Sequence, residues 1–216
     1  MSSIKIIHGD CMDAMKNTPD KFYNLAICDP PYGIGEDGAK NHSRGQLAKP
    51  TLYIAKSWDR NIPPKTYFDE LLRVSKNQII WGGNFFIDFL TSTSCMIVWD
   101  KINSGDFADC ELAWTSFKAA VRKFSFMWNG MLQGNMKNKE IRIHPTQKPV
   151  ALYQWLLKNY AKSGDRILDT HLGSGSSAIA ADIMGFDFVG LEIDKDYYEA
   201  ALDRFNRHKQ QLVMEF

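Results

Sequence analysis

Arg166-Ile167-Leu168-Asp169-Thr170-His171-Leu172-Gly173-Ser174-Gly175-Ser176-Ser177-Ala178 reads as a short buried strand, a glycine-rich turn and the start of a helix. Glycines permit the tight turn and let a ligand approach the backbone closely. Gly173-x-Gly175-x-x-Ala178 fits the loose dinucleotide fingerprint, a weak signal when it stands alone. The next apolar run ends Gly190-Leu191-Glu192-Ile193-Asp194. An acid at that strand end can accept hydrogen bonds from both hydroxyls of a ribose. Turn and acid together imply a nucleoside-containing cofactor. Roughly 50 residues follow Asp169, enough for one more strand and two helices but too few for a dinucleotide-binding sheet. Strands from earlier in the chain must therefore complete the sheet, and the cofactor half comes last.

The earlier strands are legible as short apolar runs: Ile4–Ile7, Leu25–Cys28, Gln78–Trp81, Met96–Trp99, Glu111–Trp114 and Phe124–Trp128. With Arg166–Leu168 and Phe188–Leu191 they make eight candidates, several continuous rather than alternating, as strands buried on both faces are. Helical spacing falls between them: Lys65–Val74 after Pro63-Pro64, Pro149–Ala161, Ser176–Met184 stopping at Gly185, and about Lys195 to Gln210, where Asp196 and Glu199 resemble a capping box. A further helix begins near Cys11, with Asp10 as its candidate N-cap. Strands alternating with helices predict an α/β domain over 1–216, with a mostly parallel sheet of seven or eight strands and helices on both faces. Trp81, Trp99, Trp114 and Trp128 fall in the strand patterns and are expected in the core.

Leu25–Cys28 delivers Asp29-Pro30-Pro31-Tyr32 to its carboxyl end, where open α/β sheets place ligands. The prolines stiffen the backbone and remove two N–H donors. What remains is a ridge of acceptors, the Asp29 carboxylate and the Pro30 carbonyl, matched to an amino group with two N–H donors. Tyr32 would offer a flat surface for a base.

These residues carry a family resemblance. Asp29-Pro30-Pro31-Tyr32 resembles the catalytic motif of the amino-group DNA methyltransferases, which act on adenine N6 or cytosine N4. Asp169 through Ser177 resembles their cofactor loop. His144-Pro145-Thr146-Gln147-Lys148-Pro149 is similar to the segment preceding that loop in the permuted β class, where it covers the methionine end of S-adenosylmethionine. Gly9-Asp10 resembles that branch's N-terminal pair, whose acid contacts the adenine. The resemblance implies a circularly permuted, Rossmann-like methyltransferase domain. It implies catalytic Asp29, Pro30, Pro31 and Tyr32, and S-adenosylmethionine held by Asp10, His144, Thr146, Lys148, Asp169, His171, Gly173, Ser174, Gly175, Ser176 and Glu192. A lysine at a helix start opposes the helix dipole, so Lys148 is expected to meet a carboxylate, with that of the cofactor the candidate. Thr170-His171 stands where the family usually has Pro-Phe. Asp-Pro-Pro-Tyr favours adenine N6 over cytosine N4, whose enzymes more often begin the motif with Ser. RNA is an alternative substrate, and a dinucleotide-dependent oxidoreductase is an alternative from another class.

Net charge is +1 over 216 residues, which does not advertise a nucleic-acid protein. The distribution says more. Residues 118–142 hold six cations against Glu140, and 38–60 hold five against Asp59. The polar loops 34–62 and 129–143, with Lys40, Arg44, Lys49, Arg122, Lys123, Lys137 and Lys139, are therefore the candidate nucleic-acid contacts. The 129–143 stretch is short where many family members carry a target-recognition domain. That places strong sequence specificity in doubt and makes a homodimer a reasonable expectation. Four cysteines without a Cys-x-x-Cys pair argue against a zinc cage. With no signal-peptide pattern and no membrane-length apolar run, the expected location is the cytoplasm.

Overall fold

The computed structural model describes residues 2–36, 56–102, 108–128 and 132–214. Eight strands form a single sheet: β1 (Ile4–His8), β2 (Tyr23–Cys28), β3 (Ser75–Trp81), β4 (Ile97–Asp100), β5 (Cys110–Thr115), β6 (Arg122–Ser125), β7 (Arg166–Asp169) and β8 (Asp187–Glu192). Among the described residues five α-helices accompany them: α1 (Cys11–Lys16), α2 (Lys65–Val74), α3 (Val150–Tyr160), α4 (Ser176–Met184) and α5 (Lys195–Met214). The sheet order is β1-β8-β7-β2-β3-β5-β4-β6. All adjacent pairs are parallel except β3–β5 and β5–β4, which are antiparallel.

Alternate side chains along the central strands feed two cores, as the two-residue period of a strand requires. Leu25, Ile27, Ile79, Trp81 and Ile167 point into one, roofed by Leu152, Leu156 and Leu157 of α3, Ala180 and Ala181 of α4 and Ala201 of α5. Ala26, Cys28, Ile80 and Leu168 point into the other, roofed by Met15 of α1 and by Tyr67, Phe68, Leu71 and Val74 of α2. Helices thus cover both faces, and this is why β2 and β3 read as continuous apolar runs. Trp81, Trp99, Trp114 and Trp128 are all buried.

Two expectations need correction. The sheet has its eighth strand, but β6 sits two residues earlier than the apolar run suggested. Trp99 Nε1 donates to the Phe126 carbonyl (3.2 Å), and Trp128 turns away to bridge Gln133. The start of α5 is capped by Asp194, whose Oδ1 accepts from Asp196 N (3.0 Å) and Tyr197 N (3.2 Å). Asp196 instead pairs with Lys56 at 2.6 Å. Glu140 acts at a distance, accepting from Val150 N (3.0 Å) at the start of α3, whose Pro149 has no side chain to do so. Among the described residues no helix is long and apolar enough to cross a membrane.

Candidate active site

β7 and β2 are neighbours, but the chain leaves them in opposite directions. After β7 it passes through α4 to β8 on one side, and after β2 it passes through α2 to β3 on the other. The helices diverge and leave a crevice above the carboxyl ends of the two strands, where doubly wound sheets bind their ligands. Asp169 ends β7, and Asp29 follows β2. The sheet itself therefore brings together two motifs 140 residues apart in sequence.

On the β7 side, Asp169 is buried. Its Oδ1 accepts from His171 N (3.0 Å) and its Oδ2 from the Ser177 hydroxyl (2.6 Å), which ties the turn to α4. Burial pushes the Asp169 carboxyl up to about 7, against those two hydrogen bonds. Glu192 braces the same turn, accepting from Gly173 N (2.8 Å) and Asp194 N (2.9 Å), one on each oxygen. Each oxygen keeps lone-pair capacity, so the pair can still accept from a vicinal diol. Gly175 enters α4 in the left-handed region (φ +74°), where a side chain would be strained and its Cβ would press on Ala201 at 3.3 Å. Gly9-Asp10 follows the His8–Glu192 strand pair directly, and Gly9 N donates to the Glu192 carbonyl (3.0 Å). Asp10 also caps α1, Oδ1 accepting from Met12 N (2.8 Å). One carboxylate can serve both purposes, because the cap engages a single oxygen.

His144 is buried, its ring 4.3 Å from that of Tyr197 and 5.2 Å from that of Trp58. It lies over the Gly173 turn, and Thr146 closes back onto its Nδ1 (Oγ1 at 3.1 Å). Burial, with the Lys148 charge adding to it, pushes the imidazole down to about 3, so the ring is neutral. His171 is likewise pushed down by burial, to about 4, and stands edge-on to Tyr67 at 5.3 Å. A neutral imidazole is flat and uncharged. Ser174 and Ser176 are also tied to the last helix. Arg204 Nη1 donates to the Ser174 carbonyl and the Ser176 hydroxyl, both at 2.8 Å, fastening the loop to α5. This donor set fits a nucleoside-bearing cofactor through Glu192, Asp10 and two neutral rings.

On the β2 side, Tyr32 donates its hydroxyl to Asp29 Oδ1 (2.6 Å), and Lys148 donates to Asp29 Oδ2 (2.6 Å). Lys148 is also 3.0 Å from Glu111 on β5, and Glu111 is in turn paired with Lys101. The carboxylates that Lys148 meets are thus the chain's own. A buried ammonium needs partners at hand, and two are built in. Burial raises the Asp29 carboxyl above its usual range, with Lys148 pulling the other way. Burial would raise Glu111 as well, but Lys148 and Lys101 hold it at about 2.

The loop backbone is nailed down by Asp59, which is 2 % exposed. Its Oδ1 accepts from Tyr32 N (2.7 Å) and Gly33 N (2.9 Å), and its Oδ2 from Glu36 N (2.7 Å). The Tyr32 ring stacks on Phe85 (5.0 Å, 17° between planes). Beside it, Gly82 has φ +70°, and a Cβ there would lie 2.2 Å from the ring. The flat surface expected of Tyr32 is therefore shared with Phe85. Just before Asp59, Lys56 pairs with Asp194 at 2.7 Å and reaches over the Tyr197 ring, joining the Asp59 segment to the cofactor side.

Sequence reasoning missed Asp59, Glu111, Phe85, Lys101 and Trp58. Two had signals: Asp59 is the lone acid of a basic stretch, and Glu111 is a charge inside an apolar strand run. Of the candidate nucleic-acid contacts, Lys40, Arg44 and Lys49 lie outside the described residues. Arg122 and Lys123 are exposed on β6, the far edge of the sheet from β2, and Lys123 pairs with Asp100 (3.2 Å). Lys137 and Lys139 are exposed in the segment leading to His144. Arg122 and Lys123 thus sit at the edge of the sheet, away from the β2–β7 switch point.

Residues 114–203 match the DNA methylase family model. The type II methyltransferase M2.MboI of Moraxella bovis is 23% identical, across 99% of this chain and 92% of that protein. M.HinfI of Haemophilus influenzae is also 23% identical, across 94% and 68%. Among solved structures, the M1.HpyAVI–SAM complex superposes with a TM-score of 0.58 at 20% identity, covering 93% of this chain and 99% of that one. The PvuII DNA methyltransferase, described as cytosine-N4-specific, gives 0.63 at 14% identity, covering 95% and 87%. At such identities these likenesses carry the fold.

Proposed function

We propose that this chain, a member of the amino-group DNA methyltransferase family, methylates the exocyclic N6 of adenine in DNA, using S-adenosylmethionine bound over the β7–β8 side of the crevice. The observation that carries this reading is Asp29 of Asp29-Pro30-Pro31-Tyr32 standing at the β2 end, across the switch point from Glu192 and the glycine turn. S-adenosylmethionine supplies a methyl group on a sulfonium, open to in-line attack by a nitrogen lone pair.

The chain's residues supply position and charge. Asp29 and the Pro30 carbonyl accept from the two N–H groups of the base and draw its nitrogen toward a tetrahedral geometry. Tyr32 and Phe85 provide the apolar surface against which an extruded base lies, and extrusion costs a few kcal/mol. Asp29 need not be a strong base, because the nitrogen sheds its proton only after it has acquired the methyl. Orientation and fixed charge do most of the work. The Asp at the head of the motif supports adenine over cytosine. Glu192 and Asp10 are assigned to the ribose and adenine, and His144, Thr146 and His171 to walls of the cofactor site.

The test is to incubate the protein with labelled S-adenosylmethionine and unmodified DNA or RNA, then digest to nucleosides. N6-methyldeoxyadenosine is expected. N4-methyldeoxycytidine corrects the base, methylated ribonucleosides correct the polymer, and no labelled nucleoside sinks the proposal. Asp29→Ala abolishes turnover while S-adenosylhomocysteine binding survives; wild-type turnover in that variant removes Asp29 from the chemistry.

A further inference from the structure

Lys148 departs most from what its position in the chain suggests. It precedes Pro149 at the start of α3, next to the positive end of the helix dipole, where a cation is disfavoured. Yet its side chain is 3 % exposed, and its ammonium bridges Asp29 Oδ2 (2.6 Å) and Glu111 Oε2 (3.0 Å). The ammonium also lies 5.3 Å from the Trp81 ring centroid and 3.3 Å from the Tyr32 hydroxyl. Without Lys148, two carboxylates would share one low-dielectric site, an arrangement that forces a proton onto one of them. Glu111 carries a second cation, Lys101, just after β4, so the bridge is anchored on two adjacent strands of the sheet.

We propose that Lys148, held by Glu111, is the positioning residue of the catalytic carboxylate. It fixes Asp29 Oδ2 and keeps the group ionised, so that Oδ1, held at rest by the Tyr32 hydroxyl, is the oxygen that exchanges its partner for the substrate amino group. This rests on the proposed methyl transfer. It goes further by assigning the two Asp29 oxygens different tasks and by placing Lys148 on the substrate side of the crevice, away from the cofactor carboxylate.

The charged and titratable groups facing Asp29 are Lys148 ahead of α3, Glu111 on β5, Tyr32 on its own loop, Tyr153 on α3 and Asp169 at the end of β7. Lys148 and Glu111 act on Asp29 with opposite signs, and this makes the idea testable. The rate of methyl transfer at saturating DNA and S-adenosylmethionine is measured from pH 4.5 to 9 for wild type, Lys148→Met, Lys148→Arg and Glu111→Gln. Lys148→Met moves the acid limb of kcat to higher pH by about one unit or more, the shift expected when a carboxylate loses an adjacent cation. It lowers kcat about 100-fold at neutral pH, the scale for a misplaced reacting group. Glu111→Gln moves the same limb to lower pH, and Lys148→Arg leaves it in place with part of the rate restored.

Binding of S-adenosylhomocysteine, read by calorimetry, stays within about threefold of wild type in all three variants. Limbs that stay put, or that move the same way in Lys148→Met and Glu111→Gln, overturn the assignment. So does a large loss of S-adenosylhomocysteine affinity in Lys148→Met with an unmoved limb, which would make Lys148 a cofactor ligand. If Lys148→Met does not fold, the direction of the Glu111→Gln shift decides alone. Failure of the underlying reading looks different: the wild-type protein itself then yields no methylated nucleoside at any pH.

Discussion

Removing Asp59 should cripple methyl transfer without emptying the cofactor site. Its carboxylate, 2 % exposed, accepts three backbone N–H bonds from Tyr32, Gly33 and Glu36 at 2.7–2.9 Å. A hydrogen bond to a charged group contributes about 1.5–3 kcal/mol net. Asp59→Asn keeps one acceptor oxygen, which serves Tyr32 and Gly33, and sets an amide N–H against the Glu36 N–H; it should cost one such bond. Asp59→Ala loses all three and leaves donors that only water can reach, for about 3–6 kcal/mol after partial rehydration. In a chain of this size each kcal/mol moves Tm by about 2–4 °C, so Asp59→Ala melts on the order of 10 °C lower. A catalytic loop displaced by an ångström loses about 100-fold in rate. The assay is labelled-methyl transfer to DNA under saturating conditions beside a thermal melt, with S-adenosylhomocysteine affinity as control. The expected order is wild type, Asn, Ala in both readouts, with affinity within about fivefold. An Asp59→Ala protein that melts lower yet transfers methyl groups at the wild-type rate would refute the positional role. An unchanged Tm would refute the hydrogen-bond network itself.

Two other perturbations test separate parts of the site. Gly82→Ala combines a left-handed backbone (φ +70°) with a Cβ 2.2 Å from the Tyr32 ring; the backbone alone costs about 1–2 kcal/mol. The ring must shift, so transfer should fall at least about tenfold while S-adenosylhomocysteine binds normally; unimpaired transfer would show that the ring's place is unimportant. Asp169→Asn removes a carboxyl raised from an ordinary 3.8 to about 7. The native state holds this proton where the unfolded chain has lost it, so the stability it contributes is full below pH 3.8 and drains away as pH rises to about 7. The Tm of the variant minus that of wild type should therefore climb from pH 4 to 7, and a flat difference would contradict the raised carboxyl.

Much of this was written locally in the chain. Every strand named from an apolar run has a counterpart; for β2 and β3 two-faced burial leaves a continuous signal, whereas the largely exposed edge strand β6 lies two residues from the run that announced it. Lys65–Val74 and Ser176–Met184 match to the residue because prolines mark the start of one and Gly185 the end of the other. Asp29 and Glu192 were legible because chemistry at a strand's carboxyl end follows from strand plus turn. What stayed hidden was pairing across the sheet. Glu111 and Lys148 lie 37 residues apart and meet only because β5 packs two strands from β2. Lys148 was read correctly as a cation in want of a carboxylate, but the nearest carboxylates could not be counted from the sequence. Asp59 was tallied as one acid among cations, since nothing in a polar loop announces that its carboxylate will turn inward.

At rest the crevice is already answering its own question. Asp29 holds two donors at 2.6 Å, the Tyr32 hydroxyl and the Lys148 ammonium. Anything that arrives competes with an intramolecular rival whose local concentration is fixed by the fold. Water or an alcohol merely trades one O–H for another and gains nothing. An amino group, with two N–H donors, has a second bond to offer that a single hydroxyl lacks. The first filter is therefore a contest with the protein's own side chains, and small hydroxylic molecules lose it before any reaction begins.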